Sequence, residues 1–282
     1  MIGVDKDKFG PWAIVTGASS GIGKEFARQL AASGLNLILV ARRLPLLEVL
    51  GRQLEKEYGV RYRAVGVDLT EDDFLETIEA ATHDLDIGLL ISNAGAGVPG
   101  EFLTLEGSAL LRIVYLNVIA HLDLAHHFGQ RLAQRGRGGV LLVSAMGAAQ
   151  GIPYMANDSG TKAFVLSLGE ALHVEFQKLG LHVSVLLPSP TDTPVLAEFG
   201  FDADTMPMKP MSVEQCVDEG LTALNANRAK HITGRMFRIL DALTPRSVMT
   251  RINGKMLAKA IAGKQAQAAR PSEERCLRKA GE

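Results

Sequence analysis

A chain of 282 residues with 30 basic and 31 acidic side chains carries a formal charge of -1, which excludes a protein that grips nucleic acid by bulk electrostatics. Apolar residues make up 47% of it, enough for a sizeable core without disulfides. Its two cysteines, Cys216 and Cys276, stand far apart and in no CxxC pattern, which implies neither a disulfide framework nor a metal site.

The first ten residues, MIGVDKDKFG, lack the layout of a signal peptide. No run approaches the roughly 20 apolar residues of a membrane span, so a cytoplasmic protein is expected. Short apolar runs then follow at Trp12–Thr16, Leu35–Val40, Ala64–Val67, Ile87–Ile91, Val140–Val143 and Val183–Leu187, with a weaker one near His231–Thr233. Most lack period-2 alternation, as strands buried on both faces do. Amphipathic stretches such as Lys24–Ser33, Pro45–Tyr58 and Asp72–Ala81 lie between them. Repeated strand–helix units predict an α/β fold: a Rossmann-type, doubly wound parallel sheet in a three-layer sandwich.

The first strand runs into Gly17-Ala18-Ser19-Ser20-Gly21-Ile22-Gly23, and a helix opens there. Glycines let the backbone approach a pyrophosphate, and the helix N-terminus offers free N–H groups to it. The second strand ends in Ala41-Arg42-Arg43. An acid there would bond the ribose hydroxyls of NAD, whereas arginine pairs with a 2′-phosphate. Two arginines and no acid predict NADPH, the plain alternative being a solvated pair at a strand end.

The spacing Gly-x-x-x-Gly-x-Gly after Thr16 resembles the TGxxxGxG motif of the short-chain dehydrogenase/reductase family, and the resemblance extends over roughly Pro11 to Gly234. It implies a sheet of about seven strands. It places Asp68 and Leu69 at the adenine, and Asn93-Ala94-Gly95 under the adenosine side as the family's NAG motif. Pro188, Thr191 and Thr193 fall in its PG motif near the nicotinamide carboxamide, with Ser189 in place of the usual glycine.

The family's catalytic set is a serine, a tyrosine, a lysine four residues later and an asparagine from an earlier helix. Asn117 and Lys162 match. Counting back four from Lys162 gives Asp158, and thirteen more gives Ala145, so the tyrosine and serine positions are replaced. Ser144 is one residue off, which at a strand end faces the other way. Three readings stay open. In the first, the chain is a reductase with altered proton chemistry. Asp158 is shorter than tyrosine by three to four bonds of about 1.5 Å, and Lys162 favours its ionisation. A carboxylate suits a C=N cation, which takes hydride without a proton, better than a C=O group. In the second, Tyr154, four residues earlier, takes the proton role; a substrate-wall role is the plainer expectation. In the third, the fold binds the cofactor without redox chemistry, as a pseudoenzyme, cyclase or dehydratase. Ala145, Tyr154 and Asp158 together are expected to line the substrate pocket.

Three further segments stand out. Residues 193–211, rich in Pro, Met and Phe, are expected to form a lid. His121, Asp123, His126 and His127 invite a metal, but no two histidines are spaced i, i+4, so no metal site is expected and a surface or subunit-interface helix is. The helices around Asn117 and after Lys162 form dimer or tetramer bundles in the family, so a homodimer or homotetramer is expected. From 245 to 282 the chain is basic and amphipathic. A helix packed on its own domain or on a partner is favoured there over contact with an anionic membrane, and the last dozen residues are expected to fray. The domain proper spans 1–244. Its expected partner is a small molecule, apolar or partly cationic.

Overall fold

The computed structural model describes residues 3–199 and 209–268. Residues 200–208 of the expected lid, Cys276 and the end of the tail lie outside them. A short helix α1 (Lys6–Phe9) leads into β1 (Trp12–Thr16), α2 (Gly21–Ala32), β2 (Asn36–Ala41), α3 (Leu44–Tyr58), β3 (Tyr62–Gly66), α4 (Phe74–Ala80) and β4 (Ile87–Ser92). The second half begins with α5 (Gly107–Val114), a π-helical turn (Tyr115–Ile119), α6 (Ala120–Arg135), β5 (Gly138–Val143) and α7 (Ala156–Gln177). It continues through β6 (Leu181–Leu187), α8 (Pro194–Glu198), α9 (Val213–Asn225), β7 (Lys230–Ile232), α10 (Arg235–Leu243) and α11 (Arg246–Ala268).

The seven strands form one parallel sheet in the order β3-β2-β1-β4-β5-β6-β7. Every residue of β1, β4 and β5 is buried, which explains their unbroken apolar sequences. Phe26, Leu30, Leu47, Leu54 and Leu221 bring α2, α3 and α9 onto one face. Ile78, Leu124, Phe128 and Val165 bring α4, α6 and α7 onto the other. Strand order reverses between β1 and β4. The crossovers diverge there and leave a crevice beyond the strand C-termini.

Two expectations need correction. The helix from Gly107 to Arg135 is continuous and 29 residues long, an 18-residue stretch of it has a mean hydropathy of 1.4, and by length and composition alone it would cross a membrane. Here it packs along β4 and β5 and against α7, with Leu124, Phe128 and Leu132 buried. His121, expected on a surface or interface helix, is fully inside. Its Nε2 lies 3.1 Å from the Ala94 carbonyl, which only accepts, so Nε2 carries the proton and Nδ1 accepts from the Ser92 hydroxyl at 2.9 Å. The helix turns this position onto β4, which the spacing of the histidines did not reveal.

Burial, seconded by the Lys162 charge, pushes the His121 imidazole down to about 3. An unfolded histidine protonates near 6.5. Between those values the unfolded chain binds more protons, so stability falls as pH drops through 6.5 toward 3, by on the order of 1 kcal/mol per pH unit. Urea unfolding at neutral pH and below pH 5 should show this loss, and His121→Gln should flatten it.

Candidate active site

The site begins at the C-terminal end of β1. Thr16 Oγ1 accepts from the backbone N–H groups of Asn93 and Ala94, at 2.9 and 3.0 Å, and Asn93 Nδ2 donates to Thr16 O at 2.9 Å. These bonds lock the loop after β4 against the glycine loop. Gly17 has φ +68. A Cβ on Gly23 would stand 2.3 Å from Gly17 O and 2.6 Å from Asn93 Nδ2, so only glycine lets α2 start this close. Ser20 sits at the N-cap of α2 without a capping hydrogen bond, which leaves the helix's first N–H groups for a ligand. Gly17, Ser19, Ser20, Gly21, Ile22 and Gly23 all line one cavity of about 510 Å³.

Arg42 and Arg43 stand exposed at one end of that cavity, and Arg43 Nη2 donates to Ser19 Oγ at 3.1 Å. Asp68, Leu69, Asn93, Ala94 and Gly95 continue the wall. Burial alone would raise the Asp68 carboxyl. Hydrogen bonds from the Thr70 N–H and hydroxyl, with the Arg112 and Arg42 charges, outweigh it and hold the group below its ordinary value. Arg112 reaches across from α5 to Asp68 at 2.5 Å and lines the cavity. No motif announced it.

Asn117 lies fully buried in the π-helical turn. Such turns re-aim single residues of a helix. Its Oδ1 accepts from Ala96 N at 3.1 Å. Its two amide hydrogens face three acceptors: Ala96 O at 2.9 Å, Thr161 Oγ1 at 3.0 Å and Asp158 Oδ1 at 3.3 Å. Asp158 therefore receives the weakest share. Its carboxyl also lies against Gly97, where a Cβ would be 3.1 Å from Oδ1. Burial raises the Asp158 carboxyl, against the opposing pull of the Lys162 charge and the Asn117 bond, so Lys162 does not favour ionisation as strongly as the sequence led us to expect. Burial likewise pushes the Lys162 ammonium down, opposed by Asp158. Lys162 Nζ lies beside Gly95, where an added Cβ would be only 2.7 Å away. Both Asp158 and Lys162 line the cavity.

Ala145 lines it, and so does Ser144, which the sequence had put on the other face; the Ser144 hydroxyl donates to Lys162 O at 2.7 Å and ties β5 to α7. Tyr154 is the misplaced residue of the expected pocket. It has φ +65 and its carbonyl accepts from Gly100 N at 2.8 Å. It is absent from the described cavity wall, to which Ile152 and Met155 contribute instead. The left-handed backbone breaks the helical register that had put Tyr154 one turn before Asp158.

Pro188, Ser189, Thr191 and Thr193 all line the far wall. Ser189 replaces glycine without positive φ, and its N–H donates to Thr233 Oγ1 at 2.9 Å. Thr191 is buried with its hydroxyl committed to Ser189 O at 2.8 Å, whereas Thr193 faces Gly21 across the cavity. The described part of the lid adds Val195, Leu196 and Phe199. The tail adds a wall that sequence reading missed: Asn253, Met256 and Leu257 of α11. Its signal was the apolar stripe of the basic helix, read only as a packing face.

Gly23→Ala is expected to clash with the Gly17 backbone on one side and the Asn93 side-chain amide on the other. Urea unfolding should show a loss of about 1–3 kcal/mol, and an NADPH titration should weaken in parallel.

The profile of the short chain dehydrogenase family matches residues 11–203. Over 222 residues the chain is 31% identical to the 7beta-hydroxysteroid dehydrogenase of Collinsella aerofaciens, covering 78% of this chain and 84% of that protein. Over 185 residues it is 37% identical to the very-long-chain 3-oxoacyl-CoA reductase of Neurospora crassa, covering 64% of this chain and 56% of that protein. The solved short-chain dehydrogenase from Sphingobium yanoikuyae in complex with NADPH superposes with a TM-score of 0.75 at 33% identity, over 82% of this chain and 92% of that one. With a match spanning well over half its length and a sheet wound in the same way, the chain belongs to the short chain dehydrogenase family of oxidoreductases.

Proposed function

We propose that the protein is an NADPH-dependent reductase of a bulky, apolar substrate whose reacting group is a C=N bond carrying positive charge. The observation that carries this reading is Asp158, a cavity carboxyl with one shared hydrogen-bond donor, placed where the family resemblance expects a tyrosine. Ala145 removes the expected serine hydroxyl as well. NADPH, when bound, supplies a hydride. The chain's own groups fit that cofactor: the glycine cradle would admit the pyrophosphate, and Arg42 and Arg43 would meet the 2′-phosphate. The Lys162 ammonium, without a hydrogen-bond partner among the described residues, would hold the nicotinamide ribose. An iminium carbon that accepts hydride becomes a neutral amine with no proton moved. The lost tyrosine is then not needed, and Asp158 stabilises the cation in place beforehand. Met146, Met155, Phe199, Met256 and Leu257 on the walls, and relatives that act on steroids and very-long-chain acyl groups, support a large apolar substrate.

A second reading rests on the upward shift of Asp158 by burial: in its acid form the carboxyl donates a proton to a C=O group. A panel of bulky cyclic imines and ketones, with NADPH consumption followed from mildly acidic to mildly basic pH, separates the two. Imine turnover is expected, and Asp158→Asn should lower kcat/KM about 100-fold with NADPH affinity unchanged. Ketone reduction that rises as pH falls would favour the second reading. Tight NADPH binding with no turnover of either class would sink both and leave a non-redox cofactor-binding protein.

The cofactor assignment has its own check. Arg42→Ala with Arg43→Ala should weaken NADPH binding by about 10- to 100-fold, the worth of a charge-assisted phosphate pair, and leave NADH binding nearly unchanged.

A further inference from the structure

Helix α10 has no buried residue. Met236, Ile239, Leu240 and Leu243 follow the i, i+3, i+4, i+7 spacing of one helical face and are 60%, 44%, 37% and 77% exposed. Nine residues are too few to hold a helix alone in water. This one is anchored through its polar side: Arg238 Nη1 donates to Glu219 Oε2 at 2.7 Å and to Ile232 O at 2.8 Å. Gly234 N–H donates to the same Glu219 oxygen at 3.0 Å. The fold thus fixes α10 with its apolar face outward.

Helix α11 follows after Thr244 and Pro245. Its inner side is committed: Leu257 is buried, Gly254 lies against Pro153, and Asn253, Met256 and Leu257 wall the cavity. Its outer side shows Val248 and Ile252 beside exposed Arg246, Arg251, Lys255 and Lys259. From Arg235 to Lys259 there are six basic residues and one acid, Asp241. Arg238 is matched by Glu219; the other five basic side chains have no acidic partner among the described residues.

We propose that the apolar face of α10 and the outer side of α11 dock on an anionic lipid bilayer. Exposed apolar side chains beside uncompensated positive charge are what an interfacial helix needs: the first enter the headgroup boundary, the second meet lipid phosphates and carboxylates. A second copy of the chain fits this face poorly. A two-fold contact would set the same positive charges against each other. The docking does not rest on the redox reading.

The test is co-sedimentation of the full chain with vesicles of phosphatidylcholine, alone or mixed with phosphatidylserine. Binding to the mixed vesicles, falling as salt rises, is expected. Arg251→Gln with Lys255→Gln should weaken it about 30-fold, at roughly 1 kcal/mol per basic residue. Met236→Ser with Leu243→Ser should weaken it too. Both pairs should leave thermal unfolding and NADPH binding unchanged, since these exposed residues touch neither core nor cavity. Absence of binding, equal binding to neutral vesicles, or undiminished binding of the variants would overturn the proposal. So would a fall in oligomer mass of the serine variant with vesicle binding intact, which would assign the face to a second copy.

Discussion

The carboxamide of Asn117 holds the site together. From a π-helical turn it bonds both the N–H and the C=O of Ala96, and it reaches Thr161 and Asp158 on α7. One buried side chain thereby fixes the separation between the loop after β4 and the start of α7. Lys162 stands one turn further along α7, and its ammonium is set beside Gly95 by that same separation. The π turn is the cost of aiming a helix residue sideways into a sheet crevice, and the buried bonds offset it.

Around this clamp the electrostatics are unbalanced. Lys162 is buried and Asp158 half-buried, and each has its charged form opposed by burial. No ion pair links them within bonding distance among the described residues, so neither neutralises the other fully. His121 lies behind Lys162 and stays neutral for the same reason. The cavity wall thus carries one ammonium and one weakly bonded carboxyl, one helical turn apart on α7.

The last two helices join the cavity to the surface. One side of α11 completes the wall of the site while the other keeps basic and apolar side chains in water. The hydrogen-bonded cluster of Glu219, His231 and Arg238 holds α10 from below. A surface that carries unspent apolar area and unpaired charge is therefore built on the same elements that shape the pocket.

The sequence by itself determined the sheet and the cofactor end. Unbroken apolar runs mark strands buried on both faces, and glycine spacing depends on local backbone approach, so both are legible in one dimension. Arg42, Arg43, Asp68 and the Asn93-Ala94-Gly95 loop likewise follow strand ends, whose places are set once the strands are. The identities of Ala145 and Asp158 were also plain from counting. What Asp158 meets was not, because the pull of Lys162, the share of the Asn117 amide and the burial that outweighs both are three-dimensional sums. The burial of His121, the Asp68–Arg112 pair and the exclusion of Tyr154 from the wall depended on helix phase and on one left-handed residue. The double use of α11 was decided only by packing: an amphipathic pattern says that one face is apolar, and tertiary contacts alone say which apolar residues are covered and which remain.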